Sequence, residues 1–183
     1  MRSAAILVAL SGAMLLANAT GERLTLIQPN NSGLTLVKVT TENDLFAKFS
    51  GQVRVSGTFM GVWPEGATNR KYKEPDFLFV PDKESSALLP HFVLRDPPYF
   101  NSYRVRSVAV TNGLEALSEA AGTDRVAKLL QRRVNHVRVT GHFVLDEFIV
   151  GVECDAPWAR ARLLKAELPE QVAIKHAFAP AGC

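Results

Sequence analysis

Arg138 and His142 stand four residues apart in the line Val137-Arg138-Val139-Thr140-Gly141-His142-Phe143. Apolar residues at every second position predict a strand, and side chains an even number apart in a strand share a face. The guanidinium and the imidazole therefore project together, away from Val137, Val139 and Phe143. The line is very nearly written twice. Val53-Arg54-Val55-Ser56-Gly57-Thr58-Phe59 has the same apolar positions and the same Gly, with Arg54 in the place of Arg138. Arg104 and Arg106 are spaced alike in a third, Val-rich run from Tyr103 to Thr111, while Trp63 and Trp158 could stack on a flat ligand. A cationic and aromatic strand face of this kind holds an extended polymer, with Arg on anionic or polar groups and rings on rings. The plainer account leaves the arginines solvated or paired with carboxylates, and both tryptophans in the core.

Signatures of catalysis are absent: there is no Gly-x-Ser-x-Gly elbow, no His-Glu-x-x-His and no phosphate-binding glycine loop. The histidines His91, His136, His142 and His176 are scattered. His136 and His142 share a strand face but lie about 20 Å apart along it, so one metal ion cannot take both. They read as surface histidines, and neither a metal nor a cofactor is implied. The competing class is an exported hydrolase with a site built from loops, in which Asp146 would orient His142 as a general base. That pairing requires the turn at Asp146-Glu147 to fold back, since four residues of strand span roughly 13 Å.

The start of the chain reads as an address. Met1-Arg2 is positive, Ala4 to Ala17 is apolar apart from Ser11 and Gly12, and Ala17-Asn18-Ala19 puts small residues around a polar one. Those are the parts of a secretory leader cleaved before Thr20. A membrane-spanning helix is the weaker reading, because the run is shorter than the roughly 20 apolar residues a bilayer needs. Residues 1–19 are therefore expected to be a signal peptide and 20–183 a single exported domain, periplasmic or secreted. With 21 Lys+Arg against 18 Asp+Glu, the charge is too mild to imply nucleic acid or anionic lipid. The two cysteines, Cys154 and Cys183, both fall in the exported part, where an even pair predicts one disulfide. It would close a loop of about 30 residues, contribute roughly 3–4 kcal/mol and tie the C-terminal tail to the body. Reduced thiols or an intermolecular bridge through Cys183 are the alternatives.

The elements that must position these residues alternate between strands and turns. Leu24 to Ile27 and Leu34 to Val39 predict a hairpin around Pro29-Asn30-Asn31-Ser32-Gly33. Thr41 with Glu42 and Asp44 predicts a helix start, and Leu45, Phe46 and Phe49 continue it at helical spacing. A long strand follows from Gln52 to Trp63, a loop from Pro64 to Glu74, a short strand from Phe77 to Val80 and the long strand from Tyr103 to Thr111. Ser85 to Leu94 is ambiguous, since Pro90 opposes a continuous element. Leu114 to Ala121 and Thr123 to Arg133 predict two helical pieces jointed at Gly122, with Thr123 as cap and Val126, Leu129, Leu130 and Val134 as the buried stripe. Strands from His136 to Leu145 and Phe148 to Cys154 flank the Asp146-Glu147 turn. Residues 156–168 fit either a capped helix or an alternating strand.

This order of strand, strand, strand, helix, strand, strand resembles the oligonucleotide/oligosaccharide-binding (OB) fold, a five-stranded Greek-key barrel with its helix between the third and fourth strands. The resemblance covers about residues 50–155 and rests on element order and the Val-Arg-Val-Ser/Thr-Gly-x-Phe lines, as in many exported bacterial domains. It implies a mainly β (α+β) fold, an OB-like barrel with an N-terminal extension and one or two helices. The resemblance carries a fold and no activity; the basic strand face, together with the missing catalytic signatures, makes a non-catalytic binding module the expectation, with ligand contacts from Arg54, Arg104, Arg106, Arg138, His142, Trp63 and Trp158. Export makes a glycan, an envelope component or a protein the expected partner rather than nucleic acid.

Overall fold

Leu45–Val62 and Val134–Glu153 carry the two copies of the repeated line, and they lie antiparallel against each other. Gly57 pairs with Gly141, Val55 with Phe143, and Phe59 with Val139. The alternation sorts side chains as predicted: Val53, Val55, Phe59, Val137, Val139 and Phe143 are buried, whereas Arg54, Arg138 and His142 are exposed. Phe143 is the hub of that core, with the rings of Phe59 and Phe79 edge-on at 6.2 and 5.4 Å.

The computed structural model describes residues 8–9, 13–17, 23–40, 45–64, 72–96, 99–153 and 156–176. In chain order the strands are β1 Val8–Ala9, β2 Ala13–Ala17, β3 Arg23–Ile27, β4 Leu34–Thr40, β5 Leu45–Val62, β6 Asp76–Pro81, β7 His91–Asp96, β8 Tyr99–Tyr103, β9 Val108–Val110, β10 Val134–Glu153 and β11 Ala156–His176. The helices are α1 Lys83–Ser86, α2 Gly113–Ala121 and α3 Thr123–Leu130. The fold is thus mainly β with short helices. No helix among the described residues is long and apolar enough to cross a membrane. Cys154 and Cys183, and with them the expected disulfide, lie outside the described residues.

β5 bonds to β4 over its first half and to β6 over its second, with β10 along its other side. β6 also pairs with β9, β9 runs parallel to β11, and β11 returns to β10. A second sheet has the order β1-β2-β3-β7-β8. Both sheets contribute to one apolar cluster, in which Leu24, Leu26 and Phe92 join Phe49, Phe59 and Phe148. Leu117 of α2 and Leu129 of α3 are fully buried in the same cluster.

Several elements differ from the sequence expectation. The helix expected over Leu45 to Phe49 is the start of β5: Leu45, Ala47 and Phe49 alternate inward, and Leu45 to Lys48 pair across to Ile149–Val152. β3 and β4 do not form a hairpin, because β3 pairs with β2 and β7 while β4 pairs with β5. Asp146-Glu147 is not a turn between strands but a bulge inside β10, with Glu147 at φ 49° and the register shifting between Asp146 and Ile149. From Asp146 to Ile149 β10 takes three steps where β5 takes four (Gln52 to Lys48) and β11 two (Arg162 to Arg160), which moves the inward positions from odd (Val137 to Leu145) to even (Phe148, Val150), so both halves keep their apolar side in. The Tyr103–Thr111 strand is divided between β8 and the short β9, leaving Arg104 and Arg106 between them. Residues 156–168 are strand, with Ala159, Ala161 and Leu163 buried and Arg160 and Arg162 outward. Gly122 joins α2 to α3 at φ 92°, and Thr123 follows that joint without a side-chain cap bond.

Candidate functional site

Because Gly57 faces Gly141, the polar residues that flank each glycine also face one another: Ser56 pairs with His142 and Thr58 with Thr140. The threonine hydroxyls are 3.3 Å apart. The result is a polar frame of near two-fold symmetry on the outer side of β5 and β10. Its third wall comes from the turn after β6. At Gly57 the end of β6 comes so close that a Cβ would stand 2.3 Å from the Val80 carbonyl oxygen and 2.9 Å from Pro81 Cα. Only hydrogen fits there.

Beyond Pro81 the chain leaves β5, and one backbone and one side-chain hydrogen bond complete the strand's pairing at Ser56. The Ser56 N–H donates to Ser85 Oγ at 2.7 Å, and the Ser56 carbonyl accepts from the Asp82 N–H at 3.0 Å. Asp82 caps α1, its Oδ1 accepting from the Ser85 N–H at 2.7 Å. Its Oδ2 accepts from the Ser56 hydroxyl, which also lies 3.1 Å from Ser85 Oγ. Partial burial of the Asp82 carboxyl raises its pKa. Hydrogen bonds from Ser56 and Ser85, with the nearby charge of His142, outweigh that and hold it below the ordinary 3.8. At neutral pH the group is a fixed carboxylate with a hydroxyl on each side.

Two adjoining recesses share Ser56 and His142. One, of about 440 Å³, is floored by Gly57 and Gly141 and walled by Thr58, Thr140, Asp82 and Pro81. The other, of about 590 Å³, is lined by Arg54, Glu84, Ser85, Leu88 and Glu167 as well. Arg54 lies at the rim, its side chain 80% exposed and 3.4 Å from Glu167, which Lys165 also approaches at 3.1 Å.

Of the residues expected to form a binding face, Arg54 and His142 come together here. Arg138 points outward on β10 but lines neither recess, and Arg104 and Arg106 are exposed outside any strand. Trp63 is a core residue: it is 4% exposed, its indole N–H donates to the Leu129 carbonyl at 2.7 Å, and Arg132 covers its ring at 4.2 Å. Trp158 lies over Gly151, its directly paired neighbour on β10, with Phe46 6.5 Å away and the Arg160 guanidinium 5.9 Å from its ring.

Asp146 does not stand ready for His142, because both its oxygens accept from Arg162, at 3.0 and 2.8 Å. Those bonds, then the charges of Asp146 and Glu147, raise the Arg162 pKa. Nor are all the histidines at the surface, since His91 and His136 are buried. Burial first, and the charge of Arg104 as well, lower the His91 pKa against the opposing bond to the Leu89 carbonyl, 3.2 Å from Nδ1. Among the described residues no cluster of His, Cys, Asp and Glu could hold a metal ion.

Ser56, Thr58, Asp82, Ser85 and Thr140 were missed by the sequence reading. The signals for them are modest: Ser56/Thr140 and Thr58/His142 are equivalent positions of the repeated line, and Asp82-x-x-Ser85 is a helix-start spacing. Comparison of the chain with protein-family models, curated proteins and solved structures finds no match to any of them.

Proposed function

We propose that the protein is an exported, non-catalytic binding module of the OB class whose recess beside Ser56 and His142 holds a hydroxyl-rich ligand, a glycan segment of the cell envelope. The pairings β5–β6–β9–β11–β10–β5 support a small closed barrel, with α2 and α3 between its third and fourth strands as that class has its helix. The leader and its cleavage site support export.

The observation that carries the ligand class is the crossing of Ser56-Gly57-Thr58 with Thr140-Gly141-His142 beside the Asp82 carboxylate. A sugar hydroxyl both donates and accepts. It is matched by a carboxylate, hydroxyls, an imidazole and a guanidinium set around a floor without side chains. The same acidic wall of Asp82, Glu84 and Glu167 disfavours a polyphosphate chain.

The test is titration with soluble envelope oligosaccharides, read by calorimetry. Arg54→Ala and His142→Ala should each weaken binding at least tenfold with little change in melting temperature, as exposed positions allow. Arg138→Ala, on the same strand face but outside the recess, should bind normally. Equal binding by all of these would remove the site. The competing hydrolase reading keeps one supporting observation, the Ser56 hydroxyl facing His142 with the Asp82 carboxylate beside it. Turnover of ester, glycoside, phosphate or peptide substrates that is lost in both Ser56→Ala and His142→Ala would replace binding with catalysis.

A further inference from the structure

The expected leader is seated in the fold as a strand. β2 pairs with the edge of β3 through Met14–Leu26, Leu15–Thr25 and Leu16–Leu24, while the other side of β3 is taken by β7. Cleavage before Thr20 would detach β1 and β2 and leave β3, which begins at Arg23, intact. The vacated edge belongs to a strand whose Leu24, Thr25 and Leu26 are all buried while β2 is in place. An open apolar edge of this kind is a template for another strand.

We propose that in the mature protein this edge pairs with the same edge of a second copy, β3 against β3 antiparallel about Thr25. This rests on the export reading above, since without cleavage the edge stays occupied. Two observations favour a second copy over an unrelated chain. First, Thr25 Oγ1 is buried and has no hydrogen-bond partner while β2 is paired against β3, so the leader strand leaves that hydroxyl unsatisfied. On a two-fold axis it meets its own copy, and a hydroxyl can donate to a hydroxyl. Second, the strand is self-complementary about that axis. Leu24 meets Leu26, Arg23 meets Ile27, and no like charges oppose. Both ladders of β3 are already antiparallel, so the added strand continues the sheet in the same sense. Isologous two-fold dimers are the commonest closed assembly.

The protein should be expressed from its full-length gene, exported and purified, with its N-terminus read by mass spectrometry. A chain beginning at Thr20 is expected to sediment at twice the monomer mass, and a synthetic peptide of residues 10–18 should convert it to monomer. Thr25→Cys should become disulfide-linked across the axis under mild oxidant, whereas Arg104→Cys, exposed elsewhere, should not. Circular dichroism establishes that each variant is folded. A Thr20-starting chain that stays monomeric at 100-fold concentration, or a dimer that Thr25→Cys does not link, overturns the β3 pairing and leaves export standing. A chain that retains residues 1–19 overturns both, because β2 then keeps the edge.

Discussion

Gly57 lies directly opposite Gly141, and that one pairing sets the two copies of the repeated line head to tail across β5 and β10. The consequence is functional as well as structural. Everything apolar in the two lines falls to one side, around Phe143, and everything polar falls to the other, around Ser56 and His142. Gly57 and Gly141 share the parity of the apolar face, so they show only backbone between the polar groups, and the chain after β6 brings Asp82 to the edge of that floor.

Gly57→Ala tests how closely β6 approaches β5. The new methyl would overlap the Val80 carbonyl and Pro81 Cα, both backbone and unable to swing aside. A loss of about 1–3 kcal/mol is expected from such overpacking, read as a lower midpoint in denaturant. An unchanged midpoint would mean that β6 does not lie where its pairing places it.

The two strand faces and the helix joint at Gly122 were legible in the sequence because period two and helix punctuation are local. The start of β5 was not. Leu45, Phe46 and Phe49 fit a helical stripe as well as they fit a strand, and pairing with Ile149–Val152, about a hundred residues on, decides the matter. The site was half legible. Arg54 and His142 lie in the repeated line, but Asp82 reaches Ser56 across 26 residues of chain. Arg104 and Arg106 looked like strand residues by their alternation, and the sheet simply ends before it includes them.

Trp63 and Arg54 should respond to alanine in opposite ways. Removing the buried indole also removes its bond to the Leu129 carbonyl and the support for Arg132, so Trp63→Ala should cost about 3–5 kcal/mol. Arg54→Ala removes an exposed side chain with one ion pair and should stay within about 0.5 kcal/mol. Chemical denaturation of both variants checks the ranking, and a reversal would place Trp63 on the surface.

The export proposal makes its own prediction. The mature protein should begin at Thr20 and weigh two hydrogens less than its dithiol form, for a Cys154–Cys183 bridge. Two alkylatable thiols in the exported protein would count against the bridge.

His91 should make the fold sensitive to mild acid. Its folded pKa lies below the ordinary 6.5. Between the two values the unfolded chain holds a proton that the native chain does not, so stability rises with pH there. The contribution is complete above pH 6.5 and drains as pH falls towards the folded value. His91→Gln should flatten the stability profile between pH 7.5 and 5, and an unflattened profile would assign that slope to other groups.

Asp82 acts in a lower window, and two substitutions separate its two roles. Its carboxylate caps α1 and receives the Ser56 hydroxyl, with its pKa held below 3.8. The stabilisation it gives is therefore present above pH 3.8 and is lost as pH falls through the lower folded value. Asp82→Asn keeps a capping oxygen for the Ser85 N–H but carries no charge, so it should remove the acid slope and leave most of the stability at pH 7. Asp82→Ala removes the cap as well. That should cost about 1 kcal/mol more at pH 7 and leave the Ser56 and Ser85 hydroxyls to reorganise. If the binding proposal holds, both variants lose ligand, because the carboxylate is the acceptor that a sugar hydroxyl needs beside Gly57. Denaturant melts from pH 2 to 7 with parallel ligand titrations give both readouts. An Asn variant that keeps the acid slope would mean that other carboxylates produce it. One that keeps full affinity would remove Asp82 from the recess chemistry and leave it as the cap that holds α1 against β5.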